Sequence, residues 1–429
     1  MIATLRNAWR VDEIRKKLLF VLFMVLLYRL GNAITVPYVN AEMLSAYFQQ
    51  QMRDTVLMLI NTMSGSALER ASIFALSIQP YINASIIIQL LTVAIPALER
   101  LQKDGGEDGK KKIEKITRYS TIGIAALQGY GYYVLISQNG MLDPGATGLW
   151  PPIVIIATFM TGSALLMWMG EQITEFGIGN GISVILFVSI VSRFPTSLWT
   201  MANKVMEKPS SWWIYVLMLL GALAIIVLIV IVNNSERRIP VQYSKRVVGR
   251  KMYGGQSTHL PMKVNMSGVL PVIFAQSIAS IPATIVVFVP KWKDGWLMNL
   301  LDTSGVPYMI IYFLLIVFFS YFYSTIQFNP IEIANNLKKN GGFIPGFRAG
   351  KPTSEFIKNV LTKITLFGAL YLAIIAISPI LISYFSPTAK ESGISLGGTS
   401  IIIVVSVALE TITQLESQLL MRHYKGFLE

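Results

Sequence analysis

The chain has 429 residues, 53% of them hydrophobic and only 14% charged, with a mean hydropathy of +0.55 and a net charge of +13. That balance excludes a soluble or disordered protein and points to a chain that crosses a bilayer many times. There is no cysteine, and the only histidines, His259 and His423, stand in basic polar segments, so no disulfide, metal site, histidine triad or cofactor is expected.

A helix needs about 20 apolar residues to cross the hydrocarbon core. Arg6, Arg10, Arg15, Lys16 and Lys17 precede the first such run, at 18–36. No small-residue cleavage site follows it, so it reads as a span and not as a leader peptide. The next segment, SGSALERASIFALSIQPYINASIIIQLL, runs from Ser64 to Leu91. Its second half predicts a span at 73–95 that carries Gln79, Pro80, Asn83 and Gln89. A proline within a helix frees a carbonyl and bends the axis. Buried amides must face other helices or water. Its first half is a polar stub in which Ser66 and Glu69 have capping-box spacing, predicting the start of a short helix. About ten helical residues rise only ~15 Å, half the hydrocarbon thickness. Such a stub either lies on the surface or folds back into a water-filled cavity as a stopper.

Further spans are predicted at 119–137, with Gln128, and at 152–170 and 181–199. Glu171 and Glu175 lie near the turn between the last two. KDGGEDGKKK, from Lys103, has Asp104 where a phosphate-binding loop needs its first glycine, and Lys111 where it needs Ser or Thr. It is a solvated loop. Five more spans follow at 212–232, 266–289 with Gln276, 307–328, 360–382 and 399–420. Between them stand two basic loops. In 233–265, β-branched and aromatic residues alternate with basic ones around Gly249 and Gly254, predicting a projecting hairpin. The other, 329–358, contains Lys338, Lys339 and GGFIPGFRAGKP.

With the N-terminus inside, 27 of the 36 Lys and Arg residues fall on inner segments and 8 on outer ones, which places both termini in the cytoplasm. Five spans per half make the second half enter from the opposite side, as an inverted repeat. Pro80, Ile82, Ala84, Ser85 and Ile86 match Pro271, Ile273, Ala275, Ser277 and Ile278 in the second span of each half. Among charges within spans, Arg29 and Glu410 lie at similar depth, either paired or served by other polar groups. Glu416 stands nearer the inner end. An ion-coupled transporter would place several acids at mid-membrane. With Glu410 alone there, an inverted-repeat secondary transporter of a small solute is the alternative reading. No nucleophile–base or metal constellation predicts an enzyme, so no catalytic residue is named.

SGSALERASIFAL, PYINASIIIQLLT, GEQITEFGIGNGIS, QSTHLPMKVNMSGVLPVIFA, NLKKNGGFIPGFRAGKPT and GGTSIIIVV, in this order, resemble the SecY family of bacterial protein-conducting channels. The resemblance runs end to end. It implies an all-α polytopic membrane protein with ten transmembrane helices in two inverted five-helix halves, 1–200 and 201–429, in the bacterial inner membrane. It also implies passage of unfolded secretory polypeptides and lateral release of apolar segments into lipid. The stub becomes a plug, Thr62, Met63, Ser64, Gly65, Ser66, Ala67, Leu68, Glu69 and Arg70. A mid-membrane ring falls on Ile78, Ile82, Ile182, Leu186, Ile273 and Ile403, with Leu186 where the family usually has isoleucine. A lateral gate of spans two, three, seven and eight takes Asn83, Gln128 and Gln276 as its polar cluster. Arg246, Arg250, Lys251 and Arg348 match loop positions that engage the ribosome or the SecA ATPase motor. SecE and SecG, signal sequences, preproteins and membrane lipids are the other implied partners. The basic tail of relatives is short here, ending HYKGFLE.

Overall fold

The computed structural model describes residues 2–51, 56–207, 212–243, 246–248, 251–253, 257–288, 305–385 and 398–425. In chain order the helices are α1 (Ile2–Arg10), α2 (Asp12–Ala33), α3 (Ala41–Gln51), α4 (Val56–Met63), α5 (Gln79–Ala94), α6 (Pro96–Lys103), α7 (Gly106–Gln138), α8 (Trp150–Phe176), α9 (Gly181–Val191), α10 (Phe194–Glu207), α11 (Trp212–Asn234), α12 (Leu270–Phe288), α13 (Val306–Gln327), α14 (Pro330–Lys339), α15 (Lys351–Phe385) and α16 (Gly398–Lys425). Among the described residues, six stretches are long and apolar enough to cross a bilayer: Trp150–Phe176, Gly181–Glu207, Trp212–Asn234, Val306–Lys339, Lys351–Ile382 and Gly398–Met421. A seventh is the pair α5–α6, bent by 101°. The bend has a local cause. Pro96 forces Ile95 out of the helical region, to φ −107 and ψ 112.

Two expectations about the Ser64–Leu91 segment are corrected. Pro80 does not kink a helix; it stands in the first turn of α5, where its missing N–H leaves no bond unmade. Pro271 is likewise the second residue of α12. Ser66 does not cap a helix either. It has φ +69, next to Gly65 at +68, and residues 64–78 run as successive turns. The short helix, α4, comes before this segment.

The 233–265 loop does form a hairpin. Strand β1 (Glu236–Tyr243) pairs antiparallel with β4 (Ser257–Lys263), from Glu236 opposite Lys263 to Gln242 opposite Ser257, and β2 (Arg246–Val248) pairs with β3 (Lys251–Tyr253) at the tip. Strand β5 (Gly342–Phe343) adds to β1 at Gln242 and Tyr243. Ile239, Val241 and Met262 bury against Ile344, Ile357 and Leu361, so the two basic loops share one small core.

The main core lies among α2, α5, α8, α9, α11, α12, α13, α15 and α16. A second core gathers α3, the 64–78 turns and one end of α7 and α8. Outside these cores α11 exposes Leu217, Leu220, Leu223, Val227 and Ile231, as a helix facing lipid does. Trp150, Trp212 and Trp213 are exposed at helix starts, where indoles suit a membrane interface.

Candidate functional site

One apolar cluster collects side chains from distant parts of the chain. Ile78, Ile82, Leu186, Ile273 and Ile403 are all buried in it, and Ile182 packs against it half-buried. Helical spacing explains each pair: 78 with 82 before and on α5, and 182 with 186 on α9. The start of α9 is fixed by backbone chemistry. Asn180 Oδ1 accepts from the N–H groups of Ile182 (3.1 Å) and Ser183 (3.3 Å). A Cβ on Gly181 would sit 1.9 Å from the Gly170 carbonyl oxygen, so α8 and α9 meet at bare backbone. Leu186 fills its place as completely as its isoleucine neighbours, at 1% exposure.

Beside this cluster the stub is folded back into the protein. Thr62, Met63, Ser64, Ala67 and Leu68 are buried, Gly65, Ser66 and Glu69 are half-buried, and Arg70 is exposed. Asn61 organises the turn. Its Nδ2 donates to Glu69 Oε2 (2.9 Å), its Oδ1 accepts from the Glu69 N–H (3.1 Å), and its carbonyl accepts from the Ser66 N–H (3.0 Å). Outside contacts then hold it. Tyr28 OH of α2 bonds the Ser64 carbonyl (3.2 Å) and Ser189 Oγ of α9 (2.6 Å). Arg193, at the break between α9 and α10, donates from Nη1 to Thr62 Oγ1 (2.9 Å). Tyr132 OH donates to the Leu68 carbonyl. Sequence reasoning missed Tyr28, Asn61, Tyr132 and Arg193. Only Arg193 left a signal, a cation twelve residues into the apolar run that begins at Gly181.

The seam between α5 and α12 differs from expectation. Asn83 and Gln276 are buried and Gln128 half-buried, but no hydrogen bond joins the three. Gln276 Oε1 is buried without a partner. The bond across the seam runs instead from Gln79 Nε2 to Ser277 Oγ (3.0 Å). Gln79 is one turn before Asn83, and Ser277 is the neighbour of Gln276, so the polar contact is displaced by one turn. Gln79 and Gln128 also line a cavity of about 60 Å³ with Leu68, Tyr132 and Ser280, between the stub, α5, α7 and α12.

At the hairpin end, Arg246 lies opposite Tyr253 and Lys251 opposite Val248; Arg250 lies outside the described residues. Arg348 is exposed on a turn whose positive φ at Gly346 (+88) and Gly350 (+108) only glycine adopts without strain. Its carbonyl accepts from Thr353 Oγ1 (2.8 Å), and Phe347 packs on Phe356 with ring centres 4.3 Å apart. Arg29 is exposed on α2, Glu410 lies beside Tyr323, and no ion pair joins them. Among the described residues no group of three or more His, Cys, Asp or Glu side chains gathers as a metal site.

The SecY family model matches residues 72–412. The chain is 44% identical, over the full length of both proteins, to the "Protein translocase subunit SecY" of Streptomyces coelicolor. It is 41% identical, again over both full lengths, to that of Mycobacterium bovis. In fold it resembles a solved protein-conducting channel at TM-score 0.67 and 17% identity, covering 94% of this chain and 92% of the other. It also resembles the Sec61 channel of a canine ribosome–channel complex at TM-score 0.63 and 16% identity, over 94% and 92% of the two chains.

Proposed function

The chain belongs to the SecY family, and from that premise we propose that it is the channel through which unfolded secretory polypeptides leave the bacterial cytoplasm. Apolar segments pass sideways from it into lipid. It is a multi-pass protein of the inner membrane and a channel subunit, not an enzyme. The observation that carries the reading is the folded-back stub, a polar segment held by side-chain bonds inside a membrane bundle, directly against a buried apolar cluster. A solute carrier has no use for such a stopper.

In this reading Ile78, Ile82, Ile182, Leu186, Ile273 and Ile403 form the constriction. Apolar side chains exclude water and ions by dewetting, and being flexible they part around a polypeptide. Residues 62–70 are the plug. Asn83, Gln128 and Gln276 line the lateral gate, together with the Gln79–Ser277 contact. The chain has ten spans in two inverted halves, 1–200 and 201–429, with both termini in the cytoplasm. Pro80 and Pro271, each the second residue of its helix, support that repeat. Arg246, Arg250, Lys251 and Arg348 face the motor ATPase SecA or the ribosome, and SecE and SecG complete the channel. The ribosome-bound canine channel among its structural neighbours supports the ribosome as a partner.

Reconstitution tests the function. Proteoliposomes holding the chain with SecE and SecG should take up a preprotein only when motor and ATP are present. Accumulation of a small solute under an ion gradient, without preprotein uptake, would overturn the reading.

A further inference from the structure

Two carboxylates stand in the membrane-length stretch Gly398–Met421 of α16. Glu416, nearer the inner end, accepts from Thr4 Oγ1 of α1 (3.1 Å). Glu410 is exposed and has no hydrogen-bond or ion-pair partner among the described residues. A bare carboxylate at such depth is costly against lipid; such groups face a water-filled space and mark a pathway.

The neighbours of Glu410 place that space just inside the apolar cluster. Seven residues of helix return to within about 20° of the same face. Glu410 therefore shares the face of α16 that carries buried Ile403, two turns or about 10 Å further along. On one side it lies beside Tyr323 of α13, four residues before that helix ends at Gln327 and leads into the basic 329–358 loop. The Tyr323 ring meets Phe274, the neighbour of Ile273, edge-on with centres 6.2 Å apart. On the other side, the Oγ1 of adjacent Thr411 lies 3.2 Å from where a Cβ on Gly179 would stand, in the turn between α8 and α9. Glu410 thus stands between the two halves, below Ile273 and Ile403 on the side of the basic loops.

A signal sequence carries a positively charged flank before its apolar segment, and such flanks stay on the inner side of the membrane. The loops that surround the inner mouth are basic and repel that flank. With the apolar segment in the seam between α5 and α12, the flank is left in the space where Glu410 stands. We propose that Glu410 is a specificity-determining residue that receives this flank. Its carboxylate accepts charge-assisted hydrogen bonds from a Lys or Arg of the signal sequence and holds that end inside while the rest of the chain passes. This rests on the channel reading above, with the C-terminus in the cytoplasm.

The test uses proteoliposomes holding the chain with SecE and SecG, supplied with motor and ATP. Three preproteins share one apolar segment and differ in the flank before it, which is basic, neutral or acidic. The unmodified chain should take up the basic-flanked preprotein fastest. Glu410→Gln should lower that advantage by roughly 2–5-fold, the worth of one solvated ion pair. Glu410→Asp should keep it, and Glu410→Lys should move the preference to the acidic flank. A preference unchanged in Glu410→Lys, or uptake of all three preproteins lowered alike, overturns the proposal. Should Glu410→Lys fail to insert, proximity decides. The chain has no cysteine, so Glu410→Cys gives it a single thiol. That thiol should form a disulfide with a cysteine in the basic flank of an arrested preprotein, and not with one placed beyond the apolar segment. No disulfide, or the reverse pattern, overturns the proposal. Uptake of none of the three by the unmodified chain would instead overturn the channel reading, and the proposal with it.

Discussion

If α5 and α12 flank the proposed lateral gate, the Gln79–Ser277 bond is the contact by which that gate is most directly perturbed. Gln79→Leu removes it and strands the Ser277 hydroxyl, which is 1% exposed. Interhelical polar contacts in membranes are worth about 0.6–2 kcal/mol, so the shut-to-open ratio should fall roughly 3–30-fold. Gln276, one residue along, should act in the opposite sense. Its Oε1 is buried with no partner in this structure, which the proposed reading takes as the shut arrangement, and an unmade buried bond costs about 1–3 kcal/mol. Gln276→Leu relieves that cost and should favour the shut state by roughly 5–150-fold. The assay is uptake of a preprotein series whose signal sequences differ only in hydrophobicity. Gln79→Leu should admit weaker signals than the parent, and Gln276→Leu should demand stronger ones. Resting conductance separates the gate from the constriction and should stay at the parental level in both. Shifts of the same sign in the two variants, or no shift in either, would refute the assignment of these groups to the gate.

Deleting residues 62–70 should leave export possible but raise ion leak and tolerance of weak signals; unchanged conductance in planar bilayers would sink the plug assignment. Arg348→Glu should abolish motor-driven export in a protein that still inserts, with Arg348→Lys a poor substitute because a bidentate guanidinium fork is lost; normal export by Arg348→Glu would remove this residue from the site. Gly181→Ala places a methyl 1.9 Å from the Gly170 carbonyl oxygen and must push α8 and α9 apart, at a cost of about 1–3 kcal/mol visible as a lower melting temperature in detergent.

What the sequence conveyed was set by periodicity and length, and what it hid was set by partner choice. The six membrane-length stretches fall on six predicted apolar runs, and the bent α5–α6 pair on a seventh, because a run of about 20 apolar residues has few alternatives. The hairpin was legible because alternation with period two survives in Ile239 and Val241. The stub's conformation was not. Ser66 and Glu69 have capping-box spacing, yet Asn61 takes both the Glu69 N–H and its carboxylate, and Ser66 turns left-handed. A local motif lost to a competitor only eight residues from Glu69. Pro80 was read as a kink because its helix was drawn too long; with α5 starting at Gln79 the same residue begins the helix. Asn83, Gln128 and Gln276 lie on α5, α7 and α12, which pack against one another, but which amide bonds across the seam depends on a rotation of one turn, and no single helix encodes that.

A polar contact can decide the state of this protein because the apolar ones cannot. Lipid chains are as apolar as the side chains they would replace, so separating α5 from α12 costs little hydrophobic energy. On the proposed reading, polar contacts that opening would have to break include Gln79 with Ser277, Tyr28 with Ser64, and Arg193 with Thr62. At about 0.6–2 kcal/mol each, three of them hold roughly 2–6 kcal/mol. Moving a two-state equilibrium from 1:99 to 99:1 takes about 5.5 kcal/mol. If the proposed gate and plug hold, these bonds are of the right size to keep both in place at rest, and small enough for an apolar signal segment entering the seam to outweigh. A stronger seal, such as a buried ion pair in place of the Gln79–Ser277 bond, would be expected to hold the gate closed against its own substrates.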